Sequence, residues 1–398
     1  MIDHFMFTSE SVTEGHPDKL CDQISDAVVD HFLSREPYAQ VRCECAVSGA
    51  IVFIAAHFAS TVTVDFTHLA RKVIKRIGYD QPEFNPSNCS ILTSPKVLAI
   101  NKKNQFDEHA LSDVQIDKIP ASNQVTVFGY AVNESPVLMP LPIFLANRLT
   151  QQLSRARKAA QLPYLMPDAK VQVGVEYNKW TPYRIHSITM EVHTRHPDKP
   201  NRKSLQQDLF DTVILPVFGS MAILPDRKTW ININPNGPYF GGPLHHSGLT
   251  GRKNAVDTYG EYARHSGKAL SGKDPLRVDR IGAYAARYAA KNIVAAGLAT
   301  TCEVMLSYGT GLARPVSLIV NTFGTGRLTD QHLTDLVGER FEFRPAGILR
   351  AFDLRQLPAR NPDGFFQKLS SYGHFGREDL ELPWETTDLA DRLKRESA

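Results

Sequence analysis

The chain has no apolar run approaching the length of a membrane span, so no membrane anchor is expected. Its first residues, MIDHFMFTSES, lack a basic n-region followed by an apolar h-region, so no signal peptide is expected either. Cysteine is scarce: Cys21, Cys43, Cys45, Cys89 and Cys302 are five in 398 residues, odd in number and scattered. That excludes a disulfide framework and suits reduced thiols in a cytoplasm. Cys43 and Cys45 would share one face of a strand, but no second pair completes a zinc site, so both read as packing residues. A net charge of only +3 argues against a dedicated nucleic-acid binder. No Ser-His-Asp or Cys-His arrangement stands out, and neither an internal repeat nor a low-complexity linker does.

What the chain does have is Gly241–Arg280, GGPLHHSGLTGRKNAVDTYGEYARHSGKALSGKDPLRVDR. These forty residues hold seven glycines, seven Lys/Arg, three histidines and four carboxylates. Glycine lets backbone amides approach a ligand, and Lys and Arg supply charge and donors for phosphate oxygens. Asp274-Pro275 reads as an N-cap and first helical position, with the Ala-rich run Ile281–Ala296 continuing the helix and Gly297 stopping it. Arg277 and Arg280 then lie three apart near a positive helix end, which calls for an anion. The stretch is either a solvated basic loop or, as we prefer, a polyphosphate cradle. Gly267–Asp274, GKALSGKD, matches G-x-x-x-x-G-K but has Asp where Ser or Thr should follow, and no apolar strand leads into it. A P-loop is therefore a weak alternative.

The length allows two or three domains. Periodicity predicts helices over Leu20–Leu33, Thr61 to about Lys75 and Pro142–Leu162, and over Ser204–Phe218 until Pro216 ends it. Strands are expected at Ala50–Phe58, Gln124–Tyr130, Lys170–Glu176, Ser187–Thr194, Glu303–Ser307 and Val316–Asn321. Asn85–Asn104 reads as a long loop, either a lid or plain surface. Strands and helices alternate in blocks with many antiparallel-looking pairs, which gives an α/β or α+β fold. His16 and Asp18 stand at a helix entrance, where they could hold a leaving-group oxygen and a metal, or Asp18 could simply cap the helix.

Together these stretches resemble the methionine adenosyltransferase (S-adenosylmethionine synthetase) family over nearly the whole chain. FTSESVTEGHPDKLCDQISDAV, GLTGRKNAVDTYG, SGKDPLRVDR with AYAARYAAKNIVAAGLA, and SYGHFGRED carry the likeness. The resemblance implies three similar α/β domains with pseudo-threefold symmetry, interleaved as 1–14 with 135–241, 15–111 with 242–281, and 112–134 with 282–398. It implies a homodimer or dimer of dimers with shared active sites, Mg²⁺ and K⁺, and transfer of adenosyl from ATP to methionine or a related thioether. By the resemblance His16 donates to the departing O5′. Lys170, Arg252, Lys253 and Lys273 hold phosphates. Asp168, Ala169, Tyr239 and Ala269 serve the nucleotide, with Tyr239 where the family usually stacks Phe. Asp18 and Asp279 fall at Mg²⁺ ligands and Glu44 at the K⁺ carboxylate.

The departures gather on the acceptor side. His57 and His246 replace family carboxylates, Asn123 replaces an Asp, Arg277 replaces a Lys, and Val97 falls near a gating Gln. Two acids become imidazoles, which suit a carboxylate better than an ammonium. The wall of His57 and His246 is therefore expected to bind the α-ammonium of methionine poorly. An ordinary but diverged synthetase, an enzyme for an acceptor lacking that ammonium, a hydrolase of ATP or tripolyphosphate, and a non-catalytic nucleotide-binding partner stay open. The full set of cations argues against the last.

Overall fold

The computed structural model describes residues 3–197 and 199–397. Among these residues eleven strands run in chain order as β1 (His4–Val12), β2 (Gln40–Ser48), β3 (Ile51–Ala59), β4 (Ser90–Val97), β5 (Val125–Val132), β6 (Leu165–Asn178), β7 (Thr181–Thr194), β8 (Trp230–Ile233), β9 (Gly248–Leu249), β10 (Thr301–Tyr308) and β11 (Ser317–Asn321). Four long, regular α-helices are α1 (Pro17–Leu33), α2 (Phe66–Ile77), α3 (Leu141–Lys158) and α4 (Val278–Ala295). Three separate sheets form, ordered β1-β6-β7-β8, β4-β3-β2-β9 and β11-β10-β5. Each has one long helix on a face: α3 on β1 and β6, α1 on β2, and α4 on β5 and β10. The fold is mixed α/β, as expected.

Alternation explains the layering. In β2, Val41, Cys43, Cys45 and Val47 point into the core while Arg42, Glu44 and Ser48 point outward. The two strand cysteines are thus packing residues, and all five thiols are free and buried. The outward face of the same sheet carries Leu92, Phe53, Ala46 and Leu249 in one row across β4, β3, β2 and β9. Leu92, Phe53 and Leu249 are exposed there.

Several expectations need correction. Asn85–Asn104 is not all loop, because Ser90–Val97 forms β4, parallel to β3. Pro95 is tolerated there because β4 is an edge strand. Pro216 does not end its helix, which runs from Arg202 through a π-helical turn at Phe210–Ile214 to Phe218. The missing proline N–H would orphan the Thr212 carbonyl, but Gln152 Nε2 donates to it at 3.0 Å. The helix after Asp274-Pro275 starts only at Val278, with Arg277 at its N-cap position. Asp274 is spent elsewhere, accepting from the backbone N–H of Val41 at 2.8 Å and of Leu276 at 2.9 Å. Gly267–Asp274 has neither a strand before it nor a helix directly after it, so it is not a P-loop.

Candidate active site

His16 is the N-cap of α1, and its Nδ1 accepts the backbone N–H of Asp18 at 3.2 Å. The cap is thus His16, and the Asp18 carboxylate accepts instead from the Leu249 N–H at 3.0 Å. Gly248 makes this approach possible, since a Cβ there would lie 2.2 Å from the Pro17 carbonyl carbon. Burial, then Lys253, Lys170, Lys19 and His246, push the His16 imidazole down to about 2. It is neutral at physiological pH. With Nδ1 accepting, the ring proton sits on Nε2, which leaves a donor.

The same region holds Asp168, fully buried, whose Oδ2 accepts from Gly242 N–H at 2.6 Å. Burial pushes its carboxyl up to about 7. Thr13 fixes the segment by donating to the Pro167 carbonyl at 2.7 Å and accepting from Ala169 N–H at 2.8 Å. Lys170 Nζ lies 5.2 Å from the centroid of the Tyr239 ring, and His246 stacks on that ring at 6.1 Å. Arg252 reaches to 3.8 Å from Asp18 Oδ1, and Lys253 pairs with Glu10 at 2.7 Å. Burial raises the Asp18 carboxyl above its ordinary value.

A second group forms at the other end of β2. Lys273 makes an isolated backbone bridge with Arg42, and its ammonium lies 3.4 Å from Asp279 Oδ1. Asn123 Nδ2 lies 3.3 Å from both Asp279 oxygens. Burial lowers the Lys273 ammonium from its ordinary value. His57 is the register partner of Arg42, and Arg42 Nη2 meets its Nδ1 at 3.2 Å. Glu44 is exposed on that same outward face.

The expected residues therefore come together in two groups, not one. His16, Asp18, Asp168, Ala169, Lys170, Tyr239, His246, Arg252 and Lys253 make the first; Lys273, Asp279, Asn123 and His57 make the second. Among the described residues no side-chain hydrogen bond or ion pair links the groups. The first attaches to β2 through Gly248 beside Val47, the second through Lys273 beside Arg42. Five residues of strand separate those points, roughly 16 Å. His57 and His246 thus do not form one wall within a single chain. Val97 ends β4 and is exposed. Ala269 packs against the Arg252 loop, where a Cβ on Gly251 would lie 2.2 Å from its own. Arg280 is not a phosphate cation: it is buried and paired with Asp26 at 2.6 Å. Arg277 lies 3.9 Å from Asp274. The anions that answer both arginines are the protein's own.

The sequence reading missed Lys19, Asp22, Asp26 and Arg42. Lys19 is fully buried beneath the first group, between Asp22 and Asp257. The spacing Asp18, Asp22, Asp26, Asp30 was the available signal, since i, i+4 places all four on one helix face.

Family comparisons agree with these motifs. Profiles of the S-adenosylmethionine synthetase N-terminal, central and C-terminal domains match residues 4–97, 118–239 and 240–386. The S-adenosylmethionine synthase of Synechococcus elongatus is 47% identical, covering 100% of this chain and 99% of that one. The chain belongs to the S-adenosylmethionine synthetase family. The synthase of Crocosphaera subtropica is also 47% identical, over 98% of this chain and 97% of its own, and that of Rippkaea orientalis is 46% identical over 98% and 96%. Membership accounts for the mixed α/β fold with three sheets, as many as the family has domain profiles, although each sheet pairs strands across a profile boundary.

Proposed function

We propose that the protein is a methionine adenosyltransferase. It joins the sulfur of methionine to C5′ of ATP, with the triphosphate leaving through O5′, and hydrolyses the tripolyphosphate to phosphate and diphosphate. The observation that carries the reading is the neutral His16, with its proton on Nε2 and Lys170 and Lys253 beside it. A thioether sulfur has no proton to lose, so the reaction needs no general base. Its difficulty is the charged leaving group, and a donor aimed at O5′ gains strength as that oxygen gains charge.

Lys170, Arg252, Lys253 and Lys273 are assigned to the phosphates. Asp168, Ala169, Tyr239 and Ala269 are assigned to the nucleoside. Asp168 Oδ1 supports this, being buried with no hydrogen-bond partner among the described residues, as a carboxylate waiting for a ligand hydroxyl or amine would be. Asn123, Arg277, Val97, His57 and His246 are assigned to the acceptor side. Arg42 joins them through its contact with His57.

Among the described residues no three His, Cys, Asp or Glu side chains gather into a metal cage. Mg²⁺ typically takes one or two carboxylates and completes its shell with substrate phosphates and water, so one buried carboxylate in each group, Asp18 and Asp279, fits it. When bound, it neutralises phosphate charge. K⁺ is assigned to Glu44.

The division of the site into two groups supports a homodimer, or dimer of dimers, in which the first group of one protomer meets the second group of its partner. The exposed row Leu92, Phe53, Leu249 supports the same arrangement. We also infer that the sheets mark three interleaved domains, since β1 pairs with β6 and β9 with β2 across long stretches of chain. No helix among the described residues is long and apolar enough to cross a membrane, and the buried free thiols fit a cytoplasmic setting.

Incubation of the purified protein with ATP, Mg²⁺, K⁺ and methionine should yield S-adenosylmethionine, phosphate and diphosphate by mass spectrometry. Phosphate without any sulfonium, from methionine or from a panel of thioethers, would instead make the protein a hydrolase.

A further inference from the structure

Lys273 belongs to no helix and no multi-residue strand. An ammonium on a flexible four-carbon stem points only as well as its backbone is held. Two buried groups hold that backbone. Asp26 Oδ1 accepts the N–H of Gly272 at 2.8 Å, one residue before Lys273. Arg280 Nη1 donates to the carbonyl of Lys273 itself at 2.9 Å. The same guanidinium donates through Nε to the Leu270 carbonyl at 2.6 Å and through Nη2 to both Asp26 oxygens at 2.6 and 2.7 Å. Its carbon lies 4.5 Å from the centroid of the Phe366 ring. One planar fork thus ties together a helix, two loop carbonyls and a carboxylate, which a lysine ammonium could not do. Gly272 has φ +76°, and a Cβ there would sit 2.0 Å from the Cys43 carbonyl oxygen, so the loop is also locked against β2.

The turn of α1 before Asp26 repeats the device. Asp22 Oδ1 accepts the N–H of Gly251 at 2.7 Å, directly before Arg252 and Lys253, and its Oδ2 takes Lys19 Nζ at 2.9 Å. Asp30, two turns further on than Asp22, makes the same kind of bond to Phe366 and Gln367 N–H at 3.0 and 2.9 Å, away from any assigned cation.

We propose that Asp26 and Arg280 are positioning residues for Lys273, and Asp22 for Arg252 and Lys253, so that α1 sets the placement of phosphate cations on two different loops. This rests on the phosphate role assigned to those cations. None of the three positioning residues needs to touch the polyphosphate. A displacement of about 1 Å in a positioned group costs on the order of a hundredfold in rate.

The test lengthens single rungs in the full-length protein. Asp26→Glu and Asp22→Glu keep the charge and add one methylene, and Arg280→Lys keeps the charge and removes the fork. Asp30→Glu is the comparison, a buried rung on the same helix whose bonds go to the Phe366 and Gln367 N–H groups and not to a loop that carries an assigned cation. Steady-state hydrolysis of inorganic tripolyphosphate gives kcat and KM, calorimetry gives tripolyphosphate affinity, and thermal melting gives stability. The expected result is a tenfold to hundredfold fall in kcat, or a matching fall in affinity, for Asp26→Glu, Asp22→Glu and Arg280→Lys. Asp30→Glu stays near the wild type in both while losing comparable stability. If one variant does not fold, each of the other two still decides the matter. Lys273→Ala separates the two readings. If it is impaired while the rung variants behave like Asp30→Glu, the positioning role is wrong and the cradle stands. If Lys273→Ala handles tripolyphosphate as the wild type does, the phosphate assignment itself fails, and the proposal with it.

Discussion

The Nδ1 atom of His16 accepts the backbone N–H of Asp18 across 3.2 Å, and this one bond fixes both a helix start and a tautomer. The capping bond uses Nδ1 as an acceptor, which leaves the ring proton on Nε2. The remaining nitrogen is then a donor, held in a buried, cation-rich corner where a second proton is strongly opposed. The histidine can donate a hydrogen bond to a departing oxygen without acting as an acid that must be recharged.

His16→Ala is expected to slow sulfonium formation by about a hundredfold to a thousandfold, the range for removing one donor to a developing oxyanion. ATP affinity should change little, because the bond matters most in the transition state. Single-turnover rates alongside nucleotide binding check this. An unchanged chemical step in the variant would refute the role.

The depressed basicity of His16 has a sign that can be measured. Its pKa is lower in the folded protein than in the unfolded chain, from an ordinary 6.5 to about 2. The stability it contributes is present above about pH 6.5 and is lost progressively as pH falls through the acid range toward 2, because only the unfolded chain takes up the proton. The difference in melting temperature between wild type and His16→Gln should therefore shift against the wild type on going from pH 7.5 to pH 5. A difference that does not move, or moves the other way, would mean that the ring protonates in the fold.

Arg252→Ala and Lys273→Ala should both impair triphosphate handling, since each removes a cation from a crowded polyanion site. They stand in different groups, one beside Asp18 and the other beside Asp279. Rapid-quench measurement of ATP, tripolyphosphate and diphosphate should find one variant slower in sulfonium formation and the other in hydrolysis. Normal rates for both steps in both variants would overturn the cradle.

Arg42 Nη2 meets His57 Nδ1, so on the proposed acceptor side this pair would offer a guanidinium and an imidazole where an ammonium needs acceptors. Losing a buried charge-assisted partner costs about 2–5 kcal/mol. Discrimination in favour of methionine over 3-(methylthio)propionate, which keeps the sulfur and carboxylate but lacks the amine, is expected to be weak or reversed. If the proposed dimer sets His246 of one protomer beside His57 of its partner, the double change His57→Glu with His246→Asp should restore preference for methionine by more than the two single changes combined; purely additive effects would show that the two do not share one ligand group. Competition kinetics with both acceptors provide the measure, and a strong wild-type preference for methionine would exclude the idea.

The sequence by itself determined the family, the α/β class, the helix behind His16 and which residues are candidates for the site. Long local motifs and alternating strands carry that information without reference to distant contacts. It misplaced what depends on partners far along the chain. Asp274 looked like a cap until the Val41 N–H, 233 residues away, claimed its carboxylate. Pro216 looked like a helix end until Gln152 satisfied the carbonyl it orphans. Arg280 looked like a ligand cation until Asp26, 254 residues away, took it into the core. His57 and His246 looked like one wall of a single chain until β2 separated them. In each case a polar group had more than one way to be satisfied, and only the packed chain decides which partner is within reach, because burial makes an unpaired group too costly to keep.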